Sequence, residues 1–152
     1  MIEPLRLSFE LTCSREHAFR TWTTRLSSWW PREHTVTGES DVDIVLEGRI
    51  GGRIFERTRA GAEHDWGEVT AWEPPGRLAY HWFLRHDRAD ATQVEIVFVD
   101  QGATTRVDIE HTGWERLGAR GPDRRRGNQA GWSAVLPHYI DAVRAAVKGE
   151  TP

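Results

Sequence analysis

From Asn128 to Lys148 the chain reads NQAGWSAVLPHYIDAVRAAVK, and its apolar residues recur in steps of three and four. Trp132, Val135, Leu136, Tyr139, Ile140, Val143, Ala146 and Val147 therefore share one face of a helix. Asp141, Arg144 and Lys148 fall largely on the other face. Asn128 is a good N-cap, although the run Arg124 to Arg126 can extend the helix backwards. Pro137 lies inside and removes a backbone donor, which predicts a kink. A one-sided helix of this length is marginal alone in water, so the rest of the chain must supply an apolar surface to cover it.

The preceding residues supply strands. Leu5 to Thr12 alternates, with Leu5, Leu7, Phe9 and Leu11 on one face. Ser14 caps a helix over Arg15 to Thr23 that buries Ala18, Phe19 and Trp22, and a second short helix runs from Arg25 to Trp30, stopped by Pro31. Strands follow over Asp41 to Glu47, Arg53 to Arg59, Glu63 to Trp72, Arg77 to Arg85, Gln93 to Asp100 and Thr104 to His111. The turns between them carry Gly51-Gly52, Ala60-Gly61-Ala62, Pro74-Pro75-Gly76, Asp87 to Asp90 and Gln101-Gly102, which implies antiparallel pairing. Thr112 to Gly127 reads as a long polar connection. The expected architecture is α+β: one domain over residues 1–152, with about seven antiparallel strands curved around the long C-terminal helix. Two short helices follow the first strand. A curved sheet against a helix can leave a space between them.

Charge and composition exclude several classes. A net charge of −3 disfavours general nucleic-acid binding. No apolar run approaches the length of a membrane span. The N-terminal MIEPLRLSFE carries acid and proline where a signal peptide carries a basic and then an apolar region, so the expected compartment is the cytoplasm. The single cysteine, Cys13, excludes an internal disulfide. Eight tryptophans are too much aromatic surface to leave in water, so several line a core or a cavity.

Glu47-Gly48-Arg49-Ile50-Gly51-Gly52-Arg53 resembles the E-x-R-x-G-G motif of the activator of heat-shock protein 90 ATPase homologue-like family. Trp66-Gly67-Glu68-Val69, Pro74 to Leu78, Trp82, Thr92 to Phe98, Gly102 to Val107, His111 to Trp114 and Gly131-Trp132 also match, in order. Trp29-Trp30-Pro31 fits the aromatic-proline stop after the first helices. The family belongs to the START-like or SRPBCC (helix-grip) superfamily, with the birch-pollen-allergen fold, polyketide cyclases and lipid-transfer domains. The resemblance implies a curved sheet gripping a C-terminal helix around a deep apolar cavity. It also implies a chaperone as one partner to test.

The candidate ligand-binding residues are Trp66, Tyr80, Trp82, His111, Trp114, Trp132, Leu136 and Tyr139. Apolar walls with few polar groups describe small-molecule sites; the ordinary alternative for each is core packing. His111 shares the parity of Val107 and Ile109 and points inward. It is the candidate catalytic acid or base, or else a satisfied core histidine bonded to a backbone carbonyl. Glu47 and Arg49 flank a turn and either meet a ligand or pair with each other. His64 and Glu68 lie about 13 Å apart on a strand, and His81 and His86 straddle a strand end, so no metal site is expected. Cys13 precedes a helix N-terminus that could lower its pKa, but no motif supports a catalytic thiol. RGPDRRR, residues 120 to 126, reads as a solvated loop or as a contact for a phosphate or an acidic partner. No Gly-rich phosphate loop, nucleophile elbow or His-Glu-x-x-His is present, and no cofactor is implied.

The leading expectation is thus a protein that binds a small apolar molecule between sheet and helix, with access governed by loops near Trp30, Asp87 and Trp114. A cyclase- or hydrolase-like enzyme using His111 is the second reading, and a minimal co-chaperone the third. A homodimer is left open.

Overall fold

The computed structural model describes residues 2–150, with the side chains of 146–150 excepted. The expected inward positions of Ala146 and Val147, and the outward one of Lys148, therefore lie outside the described residues. The elements run β1 (Leu5–Leu11), α1 (Arg15–Thr23), α2 (Leu26–Trp29), β2 (Asp43–Leu46), β3 (Arg53–Arg57), β4 (Glu63–Glu73), β5 (Arg77–Trp82), β6 (Thr92–Asp100), β7 (Thr105–Thr112) and α3 (Gly121–Glu150). The seven strands form one antiparallel sheet in the order β1-β7-β6-β5-β4-β3-β2. β2 to β7 form a meander, and β1 closes against β7 with Leu5 opposite His111.

Curvature enters through irregular register. Pairing shifts between Ile54 and Phe55 on β3 and between Val69 and Ala71 on β4. Such bulges bend and twist a strand. Gly67 is needed at the bend, because a Cβ there would stand 2.3 Å from the His81 carbonyl oxygen.

The concave face packs on α1, α2 and α3. Ser14 Oγ caps α1 by accepting from the His17 amide at 3.1 Å. Trp22 is the hub: its ring lies 5.4 Å from Trp29, 4.8 Å from Tyr139 and 6.1 Å from Trp132. The Tyr139 hydroxyl donates to the Ala18 carbonyl at 2.8 Å, and His17 Nε2 donates to the Val143 carbonyl at 3.1 Å. These bonds fix α3 against α1 while burying their apolar stripes.

The structure corrects several boundaries. α3 begins at Gly121, so the expected polar connection from Thr112 to Gly127 is a 3-10 turn over Trp114–Arg120 followed by two turns of helix. Pro122 sits in the first turn, where its missing N–H is not needed. Arg125 anchors that turn by donating to the carbonyls of Glu3 at 2.7 Å and Pro4 at 3.1 Å. Asn128 is no cap: its amide donates to the Arg124 carbonyl, one turn back, at 3.0 Å. The helix runs on through Pro137. β5 ends at Trp82 rather than Arg85, because the chain turns there and Arg85 takes φ 65°.

Candidate ligand-binding pocket

Trp30 follows α2, Trp82 ends β5, and Leu84, Arg85 and His86 form the turn beyond it. Together they face the first four turns of α3 across a pocket of about 460 Å³. That volume suits a drug-sized molecule. One wall is apolar, made by Trp30, Trp82, Leu84, Trp132 and Val135. The other is polar, made by His34, Arg85, His86, Arg120 and Arg124, with Asp123 and Asn128 beside them. The helical side of the pocket includes Gly127 and Gly131, one turn apart. A Cβ added at either meets nothing within 4 Å, so these glycines leave the space open.

Of the eight candidate residues, the pocket is lined by Trp82 and Trp132. The other six, Trp66, Tyr80, His111, Trp114, Leu136 and Tyr139, are buried in the core and lie outside its lining. Trp66 stands one ring behind the wall, 5.1 Å from Trp30 and 5.9 Å from Trp82. Trp114 stacks on His111 with ring centroids 4.4 Å apart. Tyr80 is fully enclosed, and burial pushes its hydroxyl pKa well up. Of the expected access loops, those at Trp30 and next to Asp87 border the pocket, whereas Trp114 is in the core.

His111 is 0% exposed and its ring is fully engaged. Trp132 Nε1 lies 3.0 Å from Nδ1, and Thr92 Oγ1 lies 2.6 Å from Nε2. An indole N–H can only donate, so Nδ1 accepts and the ring proton sits on Nε2, donated to Thr92. The Thr92 hydroxyl in turn faces the Trp82 carbonyl at 3.4 Å. Burial, reinforced by the Arg124 charge, pulls the His111 pKa down to about 3. The residue is a neutral core histidine, with an indole and a hydroxyl as partners rather than the backbone carbonyl expected. It orients Trp132, which faces the pocket.

Sequence reasoning weighed residues 120 to 126 as a contact for a phosphate or an acidic partner, but did not place Arg120, Arg124, His34, Arg85 and His86 in one pocket. Arg120 holds Asp90 through two bonds of 3.2 and 3.1 Å. Arg124 donates to the Asp90 carbonyl at 3.0 Å. Arg126 pairs with Asp123. The run 120 to 126 is thus the 3-10 turn's end and the start of α3, not a solvated loop. His86 is held below its usual pKa by burial and by Arg124, against Asp90, and is neutral at pH 7.

The remaining candidates settle locally. Glu47 pairs with Arg49 at 3.5 Å and accepts from the Arg53 amide at 2.8 Å. Burial raises the Cys13 thiol and outweighs the Ala18 amide that lowers it, which corrects the lowered pKa expected there. Among the described residues no group of three or more His, Cys, Asp or Glu is placed to hold a metal ion, and no helix is long and apolar enough to cross a membrane.

A seven-stranded antiparallel sheet curved over a C-terminal helix, with a pocket at the start of that helix, defines a helix-grip protein. The chain belongs to the family described as activator of Hsp90 ATPase homolog 1-like proteins, which matches over residues 12–144. Comparison with curated protein sequences finds no match. Among solved structures, CalC of Micromonospora echinospora, a self-sacrificing resistance protein, is 26% identical with a TM-score of 0.69, covering 94% of this chain and 95% of its own. Txn09, an anthrahydroquino-γ-pyrone synthase, is 31% identical with a TM-score of 0.56, covering 80% and 84%. Protein MLL2253 of Mesorhizobium loti is 20% identical with a TM-score of 0.65, covers 99% and 100%, and shares the fold.

Proposed function

We propose that the protein binds a planar aromatic small molecule in the pocket at the start of α3. The observation that carries this reading is the wall of three indoles, Trp30, Trp82 and Trp132, around about 460 Å³. Flat rings gain both apolar burial and offset stacking against such a wall. The likeness to Txn09 supports the reading, since an anthrahydroquino-γ-pyrone is a fused, oxygen-bearing ring system. Calorimetric titration with a hydroxyanthraquinone should give micromolar binding. Gly131→Leu, which fills open space, should weaken it at least tenfold while the fold persists by circular dichroism. Binding unchanged in that variant, or none in the wild type, would refute the pocket as the site.

A second reading, an acid–base step on the bound molecule, is favoured by His86. It lines the pocket and is kept neutral by burial and Arg124, so it can accept a proton at pH 7. The His111 ring, with both nitrogens engaged, lacks that freedom. His86→Gln should then abolish turnover of an enolisable aromatic ketone yet retain its binding; turnover unaffected by the change would end this reading.

A further inference from the structure

Most of the arginines pair with carboxylates, while Arg116 and Arg125, outside the pocket, are tied to backbone carbonyls. Arg53 meets Asp65 and Glu63, Arg77 meets Glu73 and Glu95, and Arg88 meets Asp65 and Glu68. In the pocket, Arg120 is neutralised by Asp90, and the Asp123 carboxylate is taken by Arg126. Two pocket guanidiniums break this pattern. Arg85 donates only to backbone carbonyls, from Nε to Thr35 at 2.9 Å and from a terminal nitrogen to Glu33 at 2.6 Å. Arg124 donates from one terminal nitrogen to the Asp90 carbonyl, and its Nε is buried with no hydrogen-bond partner. Neither forms an ion pair with a carboxylate among the described residues.

A half-buried guanidinium with an unmet donor is costly, because its lost hydration is not replaced. Burial accordingly lowers the Arg124 pKa, with Asp90 opposing and Arg120 assisting. Arg85 is also held at a positive φ of 65°, a conformation that side-chain-bearing residues seldom adopt. The chain thus keeps two cations in the lining of this pocket without a carboxylate partner, in the same cavity as the three indoles. On each guanidinium one terminal nitrogen makes no hydrogen bond among the described residues, and such a planar fork suits a planar carboxylate more closely than a point charge would.

We infer that the molecule held in this pocket is an aromatic carboxylate, its rings against Trp30, Trp82 and Trp132 and its carboxylate against Arg124 and Arg85. This deepens the binding reading above and rests on it. The test is calorimetric titration of the full chain at pH 7.5 with 2-naphthoate, methyl 2-naphthoate and 2-naphthyl phosphate, which share one ring system. The naphthoate should bind at least tenfold more tightly than the ester. Added salt should weaken the naphthoate but not the uncharged ester, and Arg124→Gln should bring those two to parity. Equal or tighter binding of the ester in the wild type would overturn the carboxylate while leaving an aromatic pocket. A phosphate that outcompetes the naphthoate would also overturn it, in favour of a tetrahedral anion. Failure of all three to bind would overturn the pocket reading and this inference together. The wild-type comparison does not depend on how the variant folds.

Discussion

At the scale of single residues, two buried polar side chains decide how this protein responds to acid. Unfolded, an imidazole takes up a proton near pH 6.5; folded, His111 does so only near 3. Between those values the unfolded chain binds the extra proton. Stability that is complete above about pH 6.5 is therefore lost as the pH falls, by up to about 1.4 kcal/mol per unit. His86, also depressed, acts in the same sense. The urea midpoint should fall steadily from pH 7 to pH 5, and nitrogen NMR should show His111 protonated on Nε2 throughout; a proton on Nδ1 would contradict the network. Glu56 is the second case, a carboxylate that is 0% exposed. Burial pushes its pKa up, but the amides of Val36 and Thr37, the Thr37 hydroxyl and the Trp66 indole outweigh that and hold it below the usual range. Its contribution is present above its unfolded value and disappears as the pH drops through the folded one. Glu56→Gln turns an amide group toward those donors and should cost about 1–3 kcal/mol, with faster hydrogen exchange at Val36 and Thr37. Alternation along β7 already placed His111 inward. Its partners Thr92 and Trp132 were not legible, because only the fold brings them together. Glu56 shares the parity of Ile54 and so was readable as inward, but no local signal announced its four donors.

At the scale of elements, α3 shows where local rules give way. Gly121, Pro122 and Gly127 are breakers by propensity, so the sequence favours a start near Asn128 and allows an extension back only through Arg124 to Arg126. Tertiary bonds from Arg124 to Asp90 and from Arg125 to Glu3 and Pro4 overrule them. The amphipathic stripe from Trp132 to Val143 was legible because its period needs no partner to be seen. The extra turns were not, and with them went half of the pocket wall. Gly131 follows from the same reasoning. A glycine inside a helix costs about 0.5–1 kcal/mol relative to alanine, and a Cβ here meets nothing within 4 Å. Gly131→Ala should therefore raise the thermal midpoint by about 2 °C in a scanning experiment. If the same variant also binds an aromatic ligand less well, then stability and pocket volume compete at this position.

At the scale of the whole molecule, the order of strands sets the folding problem. β1 pairs only with β7, across a separation of about 100 residues, and the sheet cannot be completed before both ends of the chain meet. The other pairings join consecutive strands, so this one distant pair carries the largest closure cost, and sheets with such non-local pairing fold in roughly milliseconds to seconds. Stopped-flow refolding should fall in that window, and microsecond refolding would show that β1 docks late without limiting the rate. The strand count and the covering helix were legible from alternation and turns. The position of the pocket was not, since it arises where α2, the β5–β6 turn and α3 converge. One consequence concerns light. Trp82, Trp66, Trp30, Trp29, Trp22 and Trp132 form an unbroken chain with successive ring centroids 5.1 to 6.1 Å apart. Indoles that close share excitation, so a photon absorbed deep in the core can emerge at the pocket. The ultraviolet emission and dichroism of this protein then belong to the set, and a guest beside Trp30 or Trp132 would darken rings it never touches.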